Sequence, residues 1–387
     1  MIIAIDATSI GWQLGRDETV TRSLLRGLAA VVRPRNRVLV LATAGAELPR
    51  EAGPRRGFLV DRVVRRSRSV HFGYTLPQWL ATLVRRGERP DIVVSLTHTP
   101  LWSPAPVALM ATDPSFAHLP DTYPRATRLP LRTLVRHQVG AAAAVMTTSE
   151  FCRSDLVASF GLPRSAVHVV PLAIDPPGGV VAATRKALAD RGVRPPYLLH
   201  LGHVHPRKNV HLAIQAFRSA QAENPRLAGH RFVVAGRRRF GSQAEDLAAS
   251  GAARGTIVFL DRVSDAEREV LLSDAEALVY LSTSEGFGLP PLEAMARGTA
   301  VVASTAAAVP EVCGSAALLV DPHRPDEVRH CVRQVLLDSW LRSDLVRCGY
   351  DRVKDFTPEQ TGRALLAALA SVRGRSVSAE VAPRRAS

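Results

Sequence analysis

The chain has 387 residues, 46% of them hydrophobic, and a formal net charge of +15 at pH 7. A single core seldom organises so long a chain, so two domains are expected. No run approaches the ~18 consecutive apolar residues of a membrane-spanning helix. The four cysteines (Cys152, Cys313, Cys331, Cys348) have neither metal nor redox spacing and read as reduced structural thiols.

In chain order, "MIIAIDATS" opens on an apolar run that Asp6 stops. It reads as a first strand and not a signal peptide, so a cytoplasmic protein is expected. "RVLVLAT", "DIVVSLT", "VALMATD", "AAVMTTS" and "VHVVPLA" follow as buried strands. Helical patterns lie between some of them. One is "ETVTRSLLRGLAAVV"; another is "SEFCRSDLVASFG", with Ser149 as N-cap and Gly161 as stop. Such alternation implies a parallel sheet with crossover helices.

Between the second and third of these strands, seven arginines fall from Arg50 to Arg68 against Glu51 and Asp61. GC-rich codon usage alone produces an arginine excess, but the local density also suits anionic lipid headgroups. Without interleaved aromatics or a recognisable module it does not read as a nucleic-acid surface.

"AIDPPGGVVAAT" (Ala173 to Thr184) reads as a linker, which sets an N-terminal domain at residues 1–174. A second series of strands follows: "PYLLHLG", "HRFVVAG", "GTIVFLD", "ALVYLST", "AVVAS" and "AALLVD". Its helices include "NVHLAIQAFRSAQA" and "SDAEREVLLSDA", the second opening with a Ser264–Glu267 capping box. This C-terminal domain is expected to span 175–355. "TPEQTGRALLAALASV" carries Thr357 as N-cap, Pro358 at the first helical position and Gln360 to complete a capping box. A final helix over 356–373 is expected to pack back on the first domain, with a disordered tail over 374–387. Ligands of open α/β sheets bind at strand C-terminal ends, so the expected site is a cleft between the two domains.

One stretch carries the chemistry. "SEGFGLPPLEAMARG" (Ser284 to Gly298) places Glu285 and Glu293 eight positions apart across two glycines and two prolines. A strand leads in and a helix leaves. Prolines are tolerated at a helix start, where amide hydrogens lack helical partners. Gly286 and Gly288 let a ligand touch the backbone, and a helix N-terminus suits phosphate. Two carboxylates beside a phosphate make sense if they accept hydroxyl hydrogen bonds on either side of it. A nucleotide-sugar has that layout.

The stretch resembles the signature of the retaining family-four glycosyltransferases of the GT-B fold, and bacterial mannosyltransferases within them. The likeness extends to "AAAVPEVCGSAALLVDP", "LLHLGHVHPRKNVHLAIQAF", "VMTTSEFCRSDL" and "IAIDAT", nearly the whole chain. It implies an α/β GT-B protein: two Rossmann-like domains facing a central cleft, the first on the acceptor side and the second binding the nucleotide-sugar.

By position, the resemblance assigns Glu285 to sugar hydroxyls and the amides of Gly286, Phe287, Gly288 and Leu289 to sugar and phosphate. It assigns Glu293 to ribose hydroxyls, and Arg207 and Lys208 to the diphosphate as leaving group, where charge develops. The family commonly has arginine where His203 stands, which shifts work to Arg207. His200, His203 and His205 are close enough to suggest a metal. They are read here as strand-end and loop histidines, and no metal is expected. Thr112 stands where relatives carry histidine, Asp113 keeps the acid, and His118 follows. Gly15 fits the loop that approaches donor phosphate. Arg16, Asp17 and Glu18 either read acceptor hydroxyls or serve the helix dipole.

The expected function is a metal-independent retaining hexosyltransferase of polysaccharide or glycoconjugate biosynthesis. Its donor is a nucleotide-sugar, with GDP-mannose favoured and UDP-hexose open, and it needs no cofactor. The acceptor is a glycan or lipid-linked glycan, with peripheral contact at the inner face of an anionic membrane through Arg50–Arg68. Thr112 keeps an alternative open: a catalytically impaired, nucleotide-sugar-binding regulatory protein. A dinucleotide oxidoreductase would need a G-x-G-x-x-G that follows neither candidate strand.

Overall fold

The computed structural model describes residues 1–11, 15–33, 36–53, 57–112, 125–237 and 255–380. The chain divides into two compact units: Met1–Ala173 with Phe356–Ser387 (unit 1), and Ile174–Asp355 (unit 2).

In unit 1 the apolar runs form β1 (Ile2–Asp6), β2 (Arg37–Thr43), β3 (Phe58–Val63), β4 (Ile92–Leu96), β5 (Val107–Met110), β6 (Ala144–Thr147) and β7 (Val167–Val169). Among the described residues they make a seven-stranded sheet of order β3-β2-β1-β4-β5-β6-β7, every pair parallel. The central strands are buried on both faces, and this explains their unbroken apolar text. Edge strand β3 is absent from the sequence expectation. Its text, "FLVDRV", holds the adjacent charges Asp61 and Arg62, and as an edge strand it buries only Phe58 fully.

Among the described residues, the helices of unit 1 before the linker are α1 (Arg16–Val31), α2 (Arg68–Val70), α3 (Leu76–Arg85), α4 (Arg125–Ala141) and α5 (Glu150–Phe160), with a π-type turn at His71–Thr75. Ser149 caps α5 by accepting from the Cys152 amide, and left-handed Gly161 closes it. Leu76, Trp79, Leu80 and Leu83 of α3 pack on Leu39, Leu41 and Val93 of the sheet.

Unit 2 holds β8 (Tyr197–Leu201), β9 (Arg231–Ala235), β10 (Ile257–Leu260), β11 (Ala277–Tyr280), β12 (Ala300–Ser304) and β13 (Leu318–Val320). The order is β10-β9-β8-β11-β12-β13, again parallel throughout. Its helices among the described residues are α6 (Ala182–Asp190), α7 (Val210–Glu223), α8 (Asp265–Asp274), α9 (Leu289–Ala296), α10 (Val309–Cys313), α11 (Pro325–Leu337) and α12 (Ser339–Val353). The Ser264–Glu267 capping box of α8 is formed in both directions. Phe217 of α7, Phe232 of β9 and Val332 and Val335 of α11 lie fully buried in one core.

The last helix, α13 (Pro358–Glu380), belongs to unit 1 and starts with the reciprocal Thr357–Gln360 cap. It packs on α1 where two glycines cross: a Cβ on Gly362 would sit 2.1 Å from the Gly27 carbonyl oxygen. The helix runs on to Glu380, past the tail boundary expected at 373. Gly374 costs a helix only about 1 kcal/mol, and no proline interrupts the text before Pro383. Among the described residues no helix is long and apolar enough to cross a membrane.

Candidate functional site

In unit 2 the strand order reverses between β8 and β11, the place where open α/β sheets bind ligands beyond their strand C-terminal ends. Two loops leave these strands. The first, after β8, ends in a 3-10 turn at Pro206–Lys208, and the second leads from β11 into α9. They are tied together. The Thr283 amide donates to the Arg207 carbonyl at 2.8 Å, and Asn209 Nδ2 donates to the Leu281 carbonyl at 3.1 Å.

These ties bring Arg207, Lys208 and Glu285 into one cluster. Glu285 is 7% exposed. Its Oε1 accepts from Lys208 Nζ and, at 3.3 Å, from Arg207 Nη1, which also donates to the Ser284 carbonyl. Burial opposes ionisation of Glu285, but the Lys208 and Arg207 charges overcome it and hold the carboxyl down to about 2. Lys208 Nζ donates to Tyr280 Oη at 3.0 Å and lies 4.8 Å from that ring's centroid. Beneath them His200, 1% exposed, faces the Val279 carbonyl through Nδ1 at 3.4 Å. Burial, and then the Lys208 charge, push its imidazole down to about 4, so it is neutral near pH 7. With the proton on Nδ1, Nε2 is a buried acceptor with no partner among the described residues.

His203 is exposed, and His205 Nδ1 accepts from the Arg207 amide at 3.2 Å, shaping the turn. Among the described residues no group of three histidines, cysteines or acids is placed to hold a metal.

Past Glu285 the chain turns through Gly286, Phe287 and Gly288. Gly288 takes φ 101°, a left-handed value that lets α9 start at Leu289. Pro290 and Pro291 occupy the second and third helical positions, so Leu289 supplies the sole amide hydrogen of the first three. A helix end so short of amide hydrogens offers little to an anion by itself. Phe287 is 6% exposed. Glu293, on α9, accepts from Arg268 of α8 at 3.1 Å. One turn on, Arg297 donates to the Glu293 carbonyl and forms a buried two-pronged pair with Glu269, which also accepts from the Gly178 amide of the linker at 2.8 Å. Sequence reasoning missed Tyr280, Arg268 and the Glu269–Arg297 pair, because nothing in their local text marks a charge partner.

In unit 1 the corresponding reversal lies between β1 and β4. Gly15 precedes α1, and Arg16 is its first residue. Asp17 is bound by Arg68 at 3.1 Å, and Glu18 by Arg22 at 2.9 Å. Burial raises the Asp17 carboxyl, against the lowering charges of Arg68 and Arg16. Thr112 is 8% exposed, and its carbonyl faces Cys152 Sγ at 3.7 Å. Asp113 and His118 lie outside the described residues. Sequence reasoning took Asp6 only as the end of a strand. It forms a buried cluster instead, Oδ2 meeting His71 Nε2 at 2.9 Å and Oδ1 accepting from Thr8 Oγ1 at 2.7 Å.

The arginine-rich segment is partly spent within the fold. Arg62 donates to the carbonyls of Thr43 and Ala46, and Arg68 pairs with Asp17. Arg50, Arg65 and Arg66 are exposed, while Arg55 and Arg56 lie outside the described residues.

Two parallel-sheet α/β units, one with a cationic cluster and a bare turn at its reversal point, define a GT-B glycosyltransferase fold. Sucrose-phosphate synthase from Thermosynechococcus elongatus has this fold at TM-score 0.72 and 18% identity, over 97% of this chain and 100% of that one. So does HepE from Anabaena, in complex with UDP and glucose, at TM-score 0.68 and 17% identity, over 96% of this chain and 100% of that one. Residues 18–177 match the model of Glycosyltransferase Family 4, and residues 186–352 that of Glycosyl transferases group 1. Each model matches one unit, and together they span most of the chain, which thus carries two glycosyltransferase domains. It is similar to O-antigen chain mannosyltransferase B of Escherichia coli, with 29% identity over 256 residues. That match covers 64% of this chain and 65% of the relative, just under two thirds of the relative's length.

Proposed function

We propose that this protein transfers a hexose, mannose favoured, from a nucleotide-sugar to a glycan or lipid-linked acceptor with retention of anomeric configuration, in polysaccharide or glycoconjugate biosynthesis. The observation that carries the reading is the buried Glu285–Lys208–Arg207 cluster beside the 286–289 turn. Lys208 and Arg207 meet the diphosphate and stabilise charge on the leaving phosphate. Glu285 accepts from sugar hydroxyls, Gly286 to Leu289 line the sugar and phosphate through their amides, and Glu293 accepts from the ribose. The acceptor oxygen attacks the anomeric carbon on the face that the phosphate leaves, and a leaving-phosphate oxygen takes its proton. Cationic side chains replace a metal in this scheme. GDP-mannose is the favoured donor because of the likeness to a mannosyltransferase; a UDP-hexose also fits, given the UDP and glucose bound by HepE.

Gly15 and Arg16, with Thr112, Asp113 and His118, are assigned to the acceptor side. Peripheral membrane contact at the inner face is assigned to Arg50–Arg68. Exposed Val64, Val70 and Tyr74 in or beside that segment support it, since interfacial contacts combine basic and amphipathic side chains.

A thermal-shift panel of nucleotide-sugars, followed by product analysis with glycan and lipid-linked acceptors, tests the reading. Stabilisation by none of them overturns it. Donor binding with neither transfer nor slow hydrolysis would favour the regulatory alternative that Thr112 raises. Sedimentation with anionic vesicles at low salt tests the membrane contact; no retention removes it.

A further inference from the structure

We propose that Tyr280 is a positioning residue for Lys208: it keeps the ammonium in place when Glu285 turns to the donor sugar. The inference rests on the donor-site reading above but concerns a residue outside the Ser284–Gly298 stretch.

Lys208 is 7% exposed and carries three donor hydrogens. It meets the Glu285 carboxylate and, at 3.0 Å, the Tyr280 hydroxyl, with the ring centroid 4.8 Å away. If Glu285 accepts from sugar hydroxyls, those hydroxyls compete with Lys208 for its lone pairs. A buried ammonium that loses its partner is costly. Tyr280 supplies a partner that no ligand draws away. It is the last residue of β11, 1% exposed, its backbone in register with Ala303 of β12. The sheet therefore fixes where its hydroxyl stands. Arg207, from the same turn, donates to the same Glu285 oxygen and adds a second positive charge, and His200 of β8 is neutral.

The test compares wild type with Tyr280→Phe, which removes one buried oxygen and keeps the ring. Nucleoside diphosphate binding is followed by calorimetry, turnover by product release, and the ammonium by NMR. Lysine occurs only at 186, 208 and 354, so selective 15N-lysine labelling with Arg substitutions at 186 and 354 assigns the Lys208 signal. The expected result is a slowly exchanging wild-type ammonium signal that survives nucleotide addition. In Tyr280→Phe that signal is lost through fast exchange, kcat falls about tenfold, as expected for one hydrogen bond to a charged group, and the alkaline limb of the rate profile moves to lower pH. Wild-type binding and turnover with a folded Tyr280→Phe that keeps its kcat, pH profile and ammonium signal overturns the inference alone. A wild-type protein that binds no nucleoside diphosphate overturns the donor reading and this inference together. If Tyr280→Phe does not fold, the wild-type signal decides: an ammonium that exchanges freely once nucleotide is bound refutes the role.

Discussion

Lys208 and Glu285 form a buried ion pair across two loops that leave different strands, β8 and β11. Each residue is under a tenth exposed, so neither charge has water to fall back on. Breaking such a pair from one side costs more than the pair contributes, since the remaining charge is left stranded. Lys208→Ala is therefore expected to destabilise unit 2 by about 3–5 kcal/mol, and to lower turnover by about 10²-fold or more. The double variant Lys208→Met/Glu285→Gln should recover much of the stability and none of the activity. Urea unfolding and product assays on both variants check this; near wild-type turnover in Lys208→Ala would remove it from the chemistry.

Acid should weaken the same region in two steps. His200 is held from its ordinary 6.5 down to about 4, so between those values the unfolded chain binds a proton that the folded one refuses. Its contribution is complete above pH 6.5 and drains away as the pH falls toward 4. Glu285, held from 4.5 to about 2, contributes fully above 4.5 and loses that contribution toward 2. Stability measured by urea unfolding should thus decline from pH 6.5 downward. His200→Leu should flatten the slope between 6.5 and 4, and an unchanged slope there would show that other groups carry it.

Backbone contact between β9 and the cationic loop predicts a sharp effect of one methyl group. A Cβ on Gly236 would lie 2.0 Å from the Gly202 carbonyl oxygen, and Gly236 takes φ 151°. Gly236→Ala is expected to cost about 3 kcal/mol or more through overpacking and backbone strain. It should also displace the loop that carries Arg207 and Lys208, and nucleotide binding would be lost in whatever protein folds. Gly229→Ala, where a Cβ meets nothing within 4 Å, serves as the control. Equal melting temperatures for the two would contradict the packing argument.

The crossing of α1 and α13 offers an analogous test in unit 1. A Cβ on Gly27 would stand 2.8 Å from the Gly362 amide nitrogen. Gly362→Ala should cost about 1–3 kcal/mol. Hydrogen exchange along 358–372 should quicken, while exchange in β8 to β13 stays unchanged. Because the two glycines touch, the double variant should not cost the sum of the singles.

Much of the fold was legible because parallel strands buried on both faces leave continuous apolar text, and caps leave short signatures. Ser149, Gly161, Ser264 with Glu267, and Thr357 with Gln360 all stand where those signatures put them. β3 was not legible, since an edge strand with little full burial admits Asp61 and Arg62 and reads as polar loop. The helix beyond Gly374 was not legible either, because its arginine- and serine-rich text resembles a tail.

Within the candidate site, Glu285 and Glu293 stood out by their spacing across the turn, whereas Arg207 and Lys208 came from the likeness to the glycosyltransferase signature. Tyr280, His200 as a neutral buried base, Arg268 and Glu269 were not legible, because their roles come from pairing across 25 to 79 positions of chain. Asp6 and His71 are 65 positions apart and meet in the same way. Two α/β series, most of their strands and their caps can be read along the chain, because periodicity and turn chemistry are local. Which charges neutralise one another emerges only in three dimensions, since electrostatic partners are chosen by distance and burial and not by order along the chain.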